Sequence, residues 1–237
     1  MKKNKLLFLF LFISSTIIAQ KKAFVIFDSE GSETTYQELF LQSKKADIIL
    51  FGELHDNPIN HWLQIELTKD LFNNSEKLLL GAEMMEADNQ LVIDEYLSGL
   101  VSASKLDSET KTWPNFKTDY LPLIKFCKDN KLSFIATNVP RRYASIVYKF
   151  GFDTLNFLSN EAKTYIAPLP ILFDKSLSSY QEMLNIGMGH GGDNLLKSQA
   201  LKDATMAYFI LKNLIEGFKF IHFHGAFHSK NFEGINW

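Results

Sequence analysis

Four of the apolar segments in this 237-residue chain are followed at once by side chains that can carry out chemistry. These side chains are carboxylates, imidazoles and guanidinium groups: Glu53, His55, Glu83, Arg141, Arg142, His224 and His228. Carboxylates and imidazoles transfer protons near neutral pH, and both bind divalent metal ions. A single residue of this kind is as often a helix cap or an ordinary loop residue, but four segment ends together favour a functional site.

Two of the segment ends share the pattern Gly-x-x-His, from Gly52 to His55 and from Gly225 to His228. Glycine lets the backbone approach closely at such a turn. With Glu53, the two histidines could bind a divalent ion through mixed oxygen and nitrogen ligands. The sequence contains no serine in a Gly-x-Ser-x-Gly context, which argues against an acyl-enzyme route.

Aromatic and sulfur-containing side chains form a second candidate set, in or beside the connections between elements. Its members are Trp113, Phe116, Tyr120, Met84, Met85, Met183, Met188 and His190. Tyrosine, histidine and methionine can bind haem iron, and aromatic rings can line a haem pocket. Ordinary core and helix packing is the alternative interpretation for most of these residues.

The elements that must position these residues follow an α/β pattern. Continuous apolar runs at 47–52, 77–82, 132–137 and 218–223 predict strands buried on both faces, and helical spacing fills the stretches between them. We therefore expect an α/β fold with a mostly parallel sheet flanked by helices, and a polar connection over 102–115. The stretch over roughly 154–194 predicts a small α-helical subdomain. In parallel sheets, sites form beyond the carboxyl ends of the strands.

Residues 1–19 have the pattern of a signal peptide: lysines, a short apolar run from Leu6 to Ile13, and a small residue at Ala19. Removing them leaves residues 20–237 as the α/β domain, with 22 basic and 27 acidic residues and a net charge of −5. We expect an exported protein, periplasmic or associated with the outer membrane, that does not bind nucleic acid. No cysteine stands at the cleavage site to carry a lipid. The chain stops soon after the last strand, so we expect the C-terminus to be cut short.

Several motifs, taken in order, resemble those of the ChaN family, haem-binding proteins within the Tiki/TraB superfamily. They are Ile48–Pro58 with His61 and Gln64, Ala82–Met84, Trp113 with Tyr120 and Pro122, Ala136–Arg141, Gly189–His190, Gln199, Asp203, Met206–Ala207, and Gly225 with His228. The resemblance extends over roughly residues 23–237. Its opening and closing motifs are specific in combination.

The resemblance implies an exported haem-binding protein that takes part in iron or haem uptake, with an outer-membrane uptake system as its partner. It also implies a homodimer around stacked haems, with haem between the α/β core and the helical subdomain. A tyrosine would be the axial ligand, first Tyr120 and then Tyr96. Trp113, Met188 and His190 would flank the haem.

The sequence leaves a second function open, that of a metal-dependent hydrolase of the peptidase or esterase type. Glu53, His55 and His228 would bind the metal ion or activate water, with Glu83 beside them. Arg141 would stabilise a developing oxyanion. A scaffold or partner-binding protein is the third interpretation, and the sequence alone does not decide whether the protein is an enzyme.

Overall fold

The computed structural model describes residues 22–74, 76–110, 112–186 and 191–237, and the chain divides into the units Met1–Tyr36 and Gln37–Trp237. In the first unit, strands β1 (Ile26–Phe27) and β2 (Glu33–Thr34) pair in antiparallel orientation. Asp28 turns the chain between these strands, because its carboxylate accepts hydrogen bonds from the backbone N–H groups of Glu30 and Ser32. The predicted signal peptide lies outside the described residues.

From Tyr36 onward, helices and strands alternate along the chain. In order they are α1 (Tyr36–Lys45), β3 (Ile48–Glu53), α2 (Pro58–Asn73), β4 (Leu78–Glu86), α3 (Gln90–Leu97), α4 (Ala103–Thr110), α5 (Leu121–Asn130), β5 (Ser133–Asn138), α6 (Arg141–Phe150), α7 (Asn160–Lys163), α8 (Ser178–Ile186), α9 (Gly192–Asn213) and β6 (Lys219–Gly225). A π-helical turn, Phe116–Tyr120, leads directly into α5. Short 3₁₀ turns follow α6 and β6.

The strands β3, β6, β4 and β5 lie side by side in that order, and all of them are parallel. The inner strands β4 and β6 are buried nearly throughout, as their continuous apolar runs predict for a sheet covered on both faces. The predicted α/β fold with a parallel sheet flanked by helices is therefore confirmed.

Two local predictions were wrong. Strand β4 runs to Glu86 rather than ending at 82, and its pairing with β5 is irregular between Ala82 and Glu86. The predicted polar connection over 102–115 contains helix α4, because the fully buried Leu106 anchors it to the core. One apolar residue among polar neighbours is too weak a periodic signal to indicate a helix.

The main core lies between the sheet and the helices on one face, and it includes the buried Cys127 of α5. A separate cluster joins the region after α6 to its neighbours, because Leu155 and Ile166 pack with Val147 of α6 and Leu201 of α9. The helical subdomain over 154–194 stays a prediction, since residues 187–190 lie outside the described ranges. No helix within the described ranges is long and apolar enough to cross a membrane.

Candidate functional site

The carboxyl ends of three neighbouring strands bring the predicted acidic and histidine residues together. Glu53 at the end of β3 lies opposite Gly225 at the end of β6, and β6 also pairs with β4, which carries Glu83. Because parallel strands end at the same edge of a sheet, residues far apart in sequence meet there. The two Gly-x-x-His motifs of the sequence thus belong to one site.

Glu53 is the centre of the first half of this site. Its Oε1 atom accepts hydrogen bonds from the Tyr120 hydroxyl at 2.6 Å and from His55 Nδ1 at 2.9 Å. Its Oε2 atom accepts a hydrogen bond from the side-chain amide of Gln64. Burial raises the pKa of the Glu53 carboxyl, but the three hydrogen bonds outweigh burial and hold this pKa below its usual value. Glu53 is therefore a buried, ionised carboxylate.

His55 stands between the two halves of the site. Its side chain is 43% exposed, although its partner Glu53 is buried. The hydrogen bond to Glu53 raises the pKa of His55, and the charge of Glu83 adds to this effect. A methyl group on Gly225 would lie 2.7 Å from His55 Nε2, so only glycine allows the imidazole to approach this closely. The indole of Trp113 meets the His55 ring edge-on, with 4.7 Å between the ring centroids.

Glu83 and His228 form the second half of the site. Glu83 accepts a hydrogen bond from the backbone N–H of Gly225 at 2.7 Å, and His228 Nε2 lies 3.1 Å from its Oε1 atom. On the other side, His228 Nδ1 bonds to Asp203, which also accepts a hydrogen bond from Tyr180 at 2.8 Å. Burial lowers the pKa of His228, but the carboxylates of Glu83 and Asp203 outweigh burial and raise it to about 10.

The two histidines of β6 form a different, uncharged group inside the sheet. His222 Nδ1 lies 3.0 Å from His224 Nδ1, and His222 Nε2 bonds to the hydroxyl of Thr137 at 2.7 Å. Burial lowers the pKa of both imidazoles, that of His224 to about 4. Because both rings are buried, neutral and hydrogen-bonded, they are structural residues of the sheet rather than proton donors at the site.

The described residues do not support a divalent-metal site. Within residues 22–74, 76–110, 112–186 and 191–237, no group of three or more His, Cys, Asp or Glu side chains is arranged to hold a metal ion. The contacts explain why. Both oxygens of Glu53 bind Tyr120, His55 or Gln64, and both ring nitrogens of His228 are occupied by carboxylates, Nε2 by Glu83 and Nδ1 by Asp203.

Several predicted site residues lie elsewhere. Arg141 pairs with Glu86, with Nε 3.4 Å from its carboxylate, and lines a separate cavity of about 450 Å³ with Arg142 and Ser145. The predicted role of Arg141 beside Glu53 and His228 therefore finds no contact in the described part of the chain. Tyr96 belongs to the main core, beneath the ammonium group of Lys128. Met188 and His190 lie outside the described residues.

The sequence predicts Trp113 and Tyr120 as haem-pocket residues, separate from the strand-end cluster, whereas the structure brings both to that cluster. Gln199 and Asp203 occur among the motif residues, but the sequence assigns them no role beside His228. Gln199 and Asp203 both face His228 from the middle of α9, and both are buried. Their spacing of four residues puts them on one helix face, where buried polar side chains among apolar ones are a signal of a hydrogen-bonded site. Tyr180 is supplied from α8, and no local pattern indicates it.

A second surface, at the end of α6, carries exposed side chains that could bind a ligand. Three successive residues there, Tyr148, Lys149 and Phe150, are exposed, while Ala144 and Val147 on the opposite face are buried. Tyr148 is 46% exposed, and its ring lies against the turn at Gly191. The end of α6 therefore exposes a phenol, an ammonium group and a phenyl ring, which point in different directions because successive residues of a helix lie about 100° apart around its axis. No local sequence pattern indicates Tyr148.

Fold and site together define an α/β protein with a buried acid–base network at the ends of a parallel sheet. The model of the family described as "haem-binding uptake, Tiki superfamily, ChaN" matches residues 39–237. The chain therefore belongs to this family, as the motifs of the sequence predict.

A solved structure of a ChaN protein has the same fold as this chain. A structure described as cofacial haem binding to ChaN of Campylobacter jejuni superposes with a TM-score of 0.66 over 89% of this chain and 83% of that chain, at 20% sequence identity. The toxin effector domain RRSP of Vibrio vulnificus gives a TM-score of 0.46 over 88% of this chain and 35% of that chain, at 18% identity.

A curated relative shares part of its sequence with this chain. Protein RETICULATA-RELATED 5, chloroplastic, of Arabidopsis thaliana is 24% identical over an alignment of 188 residues that covers 73% of this chain. The chain spans 25% of the length of that protein.

Proposed function

We propose that the protein binds haem through Tyr148 at the exposed end of α6 and acts in haem or iron uptake. Two things support the proposal: membership of a family described by haem-binding uptake, and the chemistry of this helix end. The observation that carries it is the exposure of Tyr148, because a haem that is to be taken up and passed on must be reached from outside.

The tyrosines of the chain differ in their access to a ligand. All eight lie in the described ranges, and Tyr148 is the one that is exposed. Tyr120, the first choice from the sequence, is 3% exposed and donates its proton to Glu53. Burial and then this hydrogen bond raise the pKa of Tyr120, which disfavours the phenolate that ferric iron binds. Tyr96, the second choice, is buried and its pKa is also raised, chiefly by burial.

The residues at the end of α6 fit a haem. When bound, haem would supply a ferric iron that a tyrosine oxygen can bind. The phenol of Tyr148 would hold the iron, and the ammonium group of Lys149 would pair with a propionate carboxylate.

A titration of the purified protein with hemin tests this proposal. We expect a saturable change of the Soret band at micromolar protein, and a loss of affinity of about tenfold or more in Tyr148→Phe. Tyr165→Phe, at a half-buried tyrosine that follows α7, is the matched control and should bind hemin as the parent protein does. Equal affinity of the Tyr148→Phe and Tyr165→Phe proteins would contradict the proposal.

We further propose that the protein is exported and that it forms a homodimer when haem is bound. The lysines and apolar run of residues 1–19 support export to the periplasm or the outer membrane, where an uptake system would be the partner. A haem held on an exposed helix end leaves one face open, which a second haem on a second copy of the chain would cover. N-terminal sequencing of the exported protein should begin at Gln20, and light scattering should give twice the monomer mass once hemin is added.

Hydrolysis by acid–base chemistry is a second candidate function. One observation favours it: His55 is half-exposed while both carboxylates that act on it are buried. His55 would take a proton from a water molecule that attacks a carbonyl carbon, and would then give this proton to the leaving group, with Glu53 stabilising the charged ring. Hydrolysis of a chromogenic ester tests this. Activity that is equal in the parent and in His55→Gln would exclude it.

A further inference from the structure

The turn before α9 lies directly against the phenol of Tyr148. Gly191, the residue that precedes α9, has a φ of +87°, a left-handed conformation that favours glycine. A methyl group placed on Gly191 would lie 2.8 Å from Tyr148 Cε2, 3.1 Å from its hydroxyl oxygen and 3.0 Å from Leu195 Cβ. Side-chain carbons do not approach an aromatic carbon this closely, so the present position of the phenol requires glycine at 191.

We infer that Gly191 is a positioning residue for Tyr148. The backbone of Gly191, which carries no side chain, lies against the phenol and holds the phenol oxygen in one place, where it can bind iron; we call this backbone the wall. The inference rests on the proposed haem function and names a second element of the same site. An exposed tyrosine without a wall would sample several rotamers, and each would present its oxygen at a different place. A fixed wall selects one of them and so lowers the entropy that iron binding must remove.

The wall cannot move away easily, because α9 is attached to α6 along its length. The buried hydroxyl of Ser198 donates a hydrogen bond to the backbone carbonyl of Ala144 at 3.0 Å. Val147 of α6 and Leu201 of α9 pack in one buried cluster. These contacts connect the helix that carries Tyr148 to the helix that begins after Gly191. A methyl group at 191 therefore presses on Leu195 Cβ and on the phenol, and the exposed phenol is the group that can rotate away.

Three substitutions separate this role from backbone strain. Gly191→Ala adds the colliding methyl group. Gly99→Ala adds a methyl group at the same φ of +87° with nothing within 4 Å, and Gly192→Ala adds one in open space at φ +52° beside the site. Thermal unfolding of the three apoproteins measures how much each change strains the backbone, and hemin binding measures the role in the site.

We expect Gly191→Ala to weaken hemin binding by about tenfold and to shift the phenolate-to-iron charge-transfer band, because the oxygen moves. Gly99→Ala and Gly192→Ala should leave the band and the affinity unchanged, even where their unfolding temperature falls. If Gly191→Ala keeps the parent band and affinity, or if Gly192→Ala changes both equally, Gly191 does not position the phenol.

Hemin titrations of the two variants distinguish an error about Gly191 from an error about haem binding by Tyr148. If Tyr148→Phe reduces hemin affinity while Gly191→Ala does not, Tyr148 holds the iron without the wall, and only the role of Gly191 is overturned. If Tyr148→Phe has no effect on hemin binding, the ligand is another group, and both proposals are overturned.

Discussion

His228 Nε2 lies 3.1 Å from Glu83 Oε1, and both side chains are almost completely buried. A pair of charges inside a protein is tolerated only when each finds partners, and this pair has them. Asp203 bonds to the other nitrogen of His228, and the backbone N–H of Gly225 donates to Glu83. The pair connects strands β4 and β6 at the carboxyl edge of the sheet, where the site lies.

Removing one charge of this pair should destabilise the protein strongly. We expect Glu83→Gln to lower the free energy of unfolding by about 3–5 kcal/mol, the usual cost of leaving a buried charge without its partner. Urea unfolding measures this. Glu182→Gln is the control, because its ion pair with Lys230 is exposed and should contribute about 1 kcal/mol or less. Similar effects of the two substitutions would contradict the description of the pair.

The same pair predicts a loss of stability in alkaline solution. The pKa of His228 is raised to about 10 in the folded protein, from about 6.5 when unfolded. Its contribution to stability is therefore complete below pH 6.5 and is lost as the pH rises toward 10. We expect the unfolding free energy to fall across this range, and to fall less in Glu83→Gln. Identical pH profiles of the two proteins would contradict the raised pKa.

In acid, the histidines of β6 should destabilise the protein. Burial holds the pKa of His224 at about 4, and that of His222 also lies well below 6.5. The unfolded chain therefore binds protons that the folded chain does not, and stability falls as the pH drops from 6.5 toward 4. Urea unfolding at intervals of pH checks this. A flat profile between pH 6.5 and 5 would show that the two rings are not buried and neutral.

Gly225 should be essential to the contact between the two halves of the site. In Gly225→Ala the new methyl group would lie 2.7 Å from His55 Nε2 and 3.4 Å from Glu83 Oε2. We expect His55 to move away from the carboxylates, so that its pKa falls toward 6.5, at a cost of about 1–3 kcal/mol in stability. Proton NMR titration of the imidazole measures this pKa. An unchanged pKa of His55 would show that the methyl group is accommodated elsewhere.

The sequence contained enough to predict the sheet and the carboxyl-edge cluster, because both depend on local signals. Apolar runs gave the strands, and polar residues directly after them, such as Glu53 and His55, marked the edge of a parallel sheet. Glu83 was placed correctly even though β4 continues past it, since the strand end shifts by only a few residues. The length of β4 depends on its neighbours and has no signal of its own.

Other features depend on tertiary contacts and could not be predicted. The packing of the π-helical turn buries Tyr120 against Glu53, and the packing of α6 leaves Tyr148 exposed. The residues beside each tyrosine in the sequence do not determine this difference. Arg141 follows a strand like the other site residues, but it pairs with Glu86, which became available only because β4 is longer than its apolar run. The predicted role of Arg141 thus depended on β4 ending at 82, whereas β4 continues to Glu86.

The absorption spectrum of the hemin-loaded protein tests the central claim most directly. Iron bound by a tyrosine oxygen gives a phenolate-to-iron charge-transfer band, which disappears when that tyrosine becomes phenylalanine. We predict that Tyr148→Phe loses the band. Tyr120→Phe should keep it, because the hydroxyl of Tyr120 donates its hydrogen bond to Glu53 and does not bind iron. Loss of the band in Tyr120→Phe with retention in Tyr148→Phe would contradict the account and restore the buried tyrosine as the ligand.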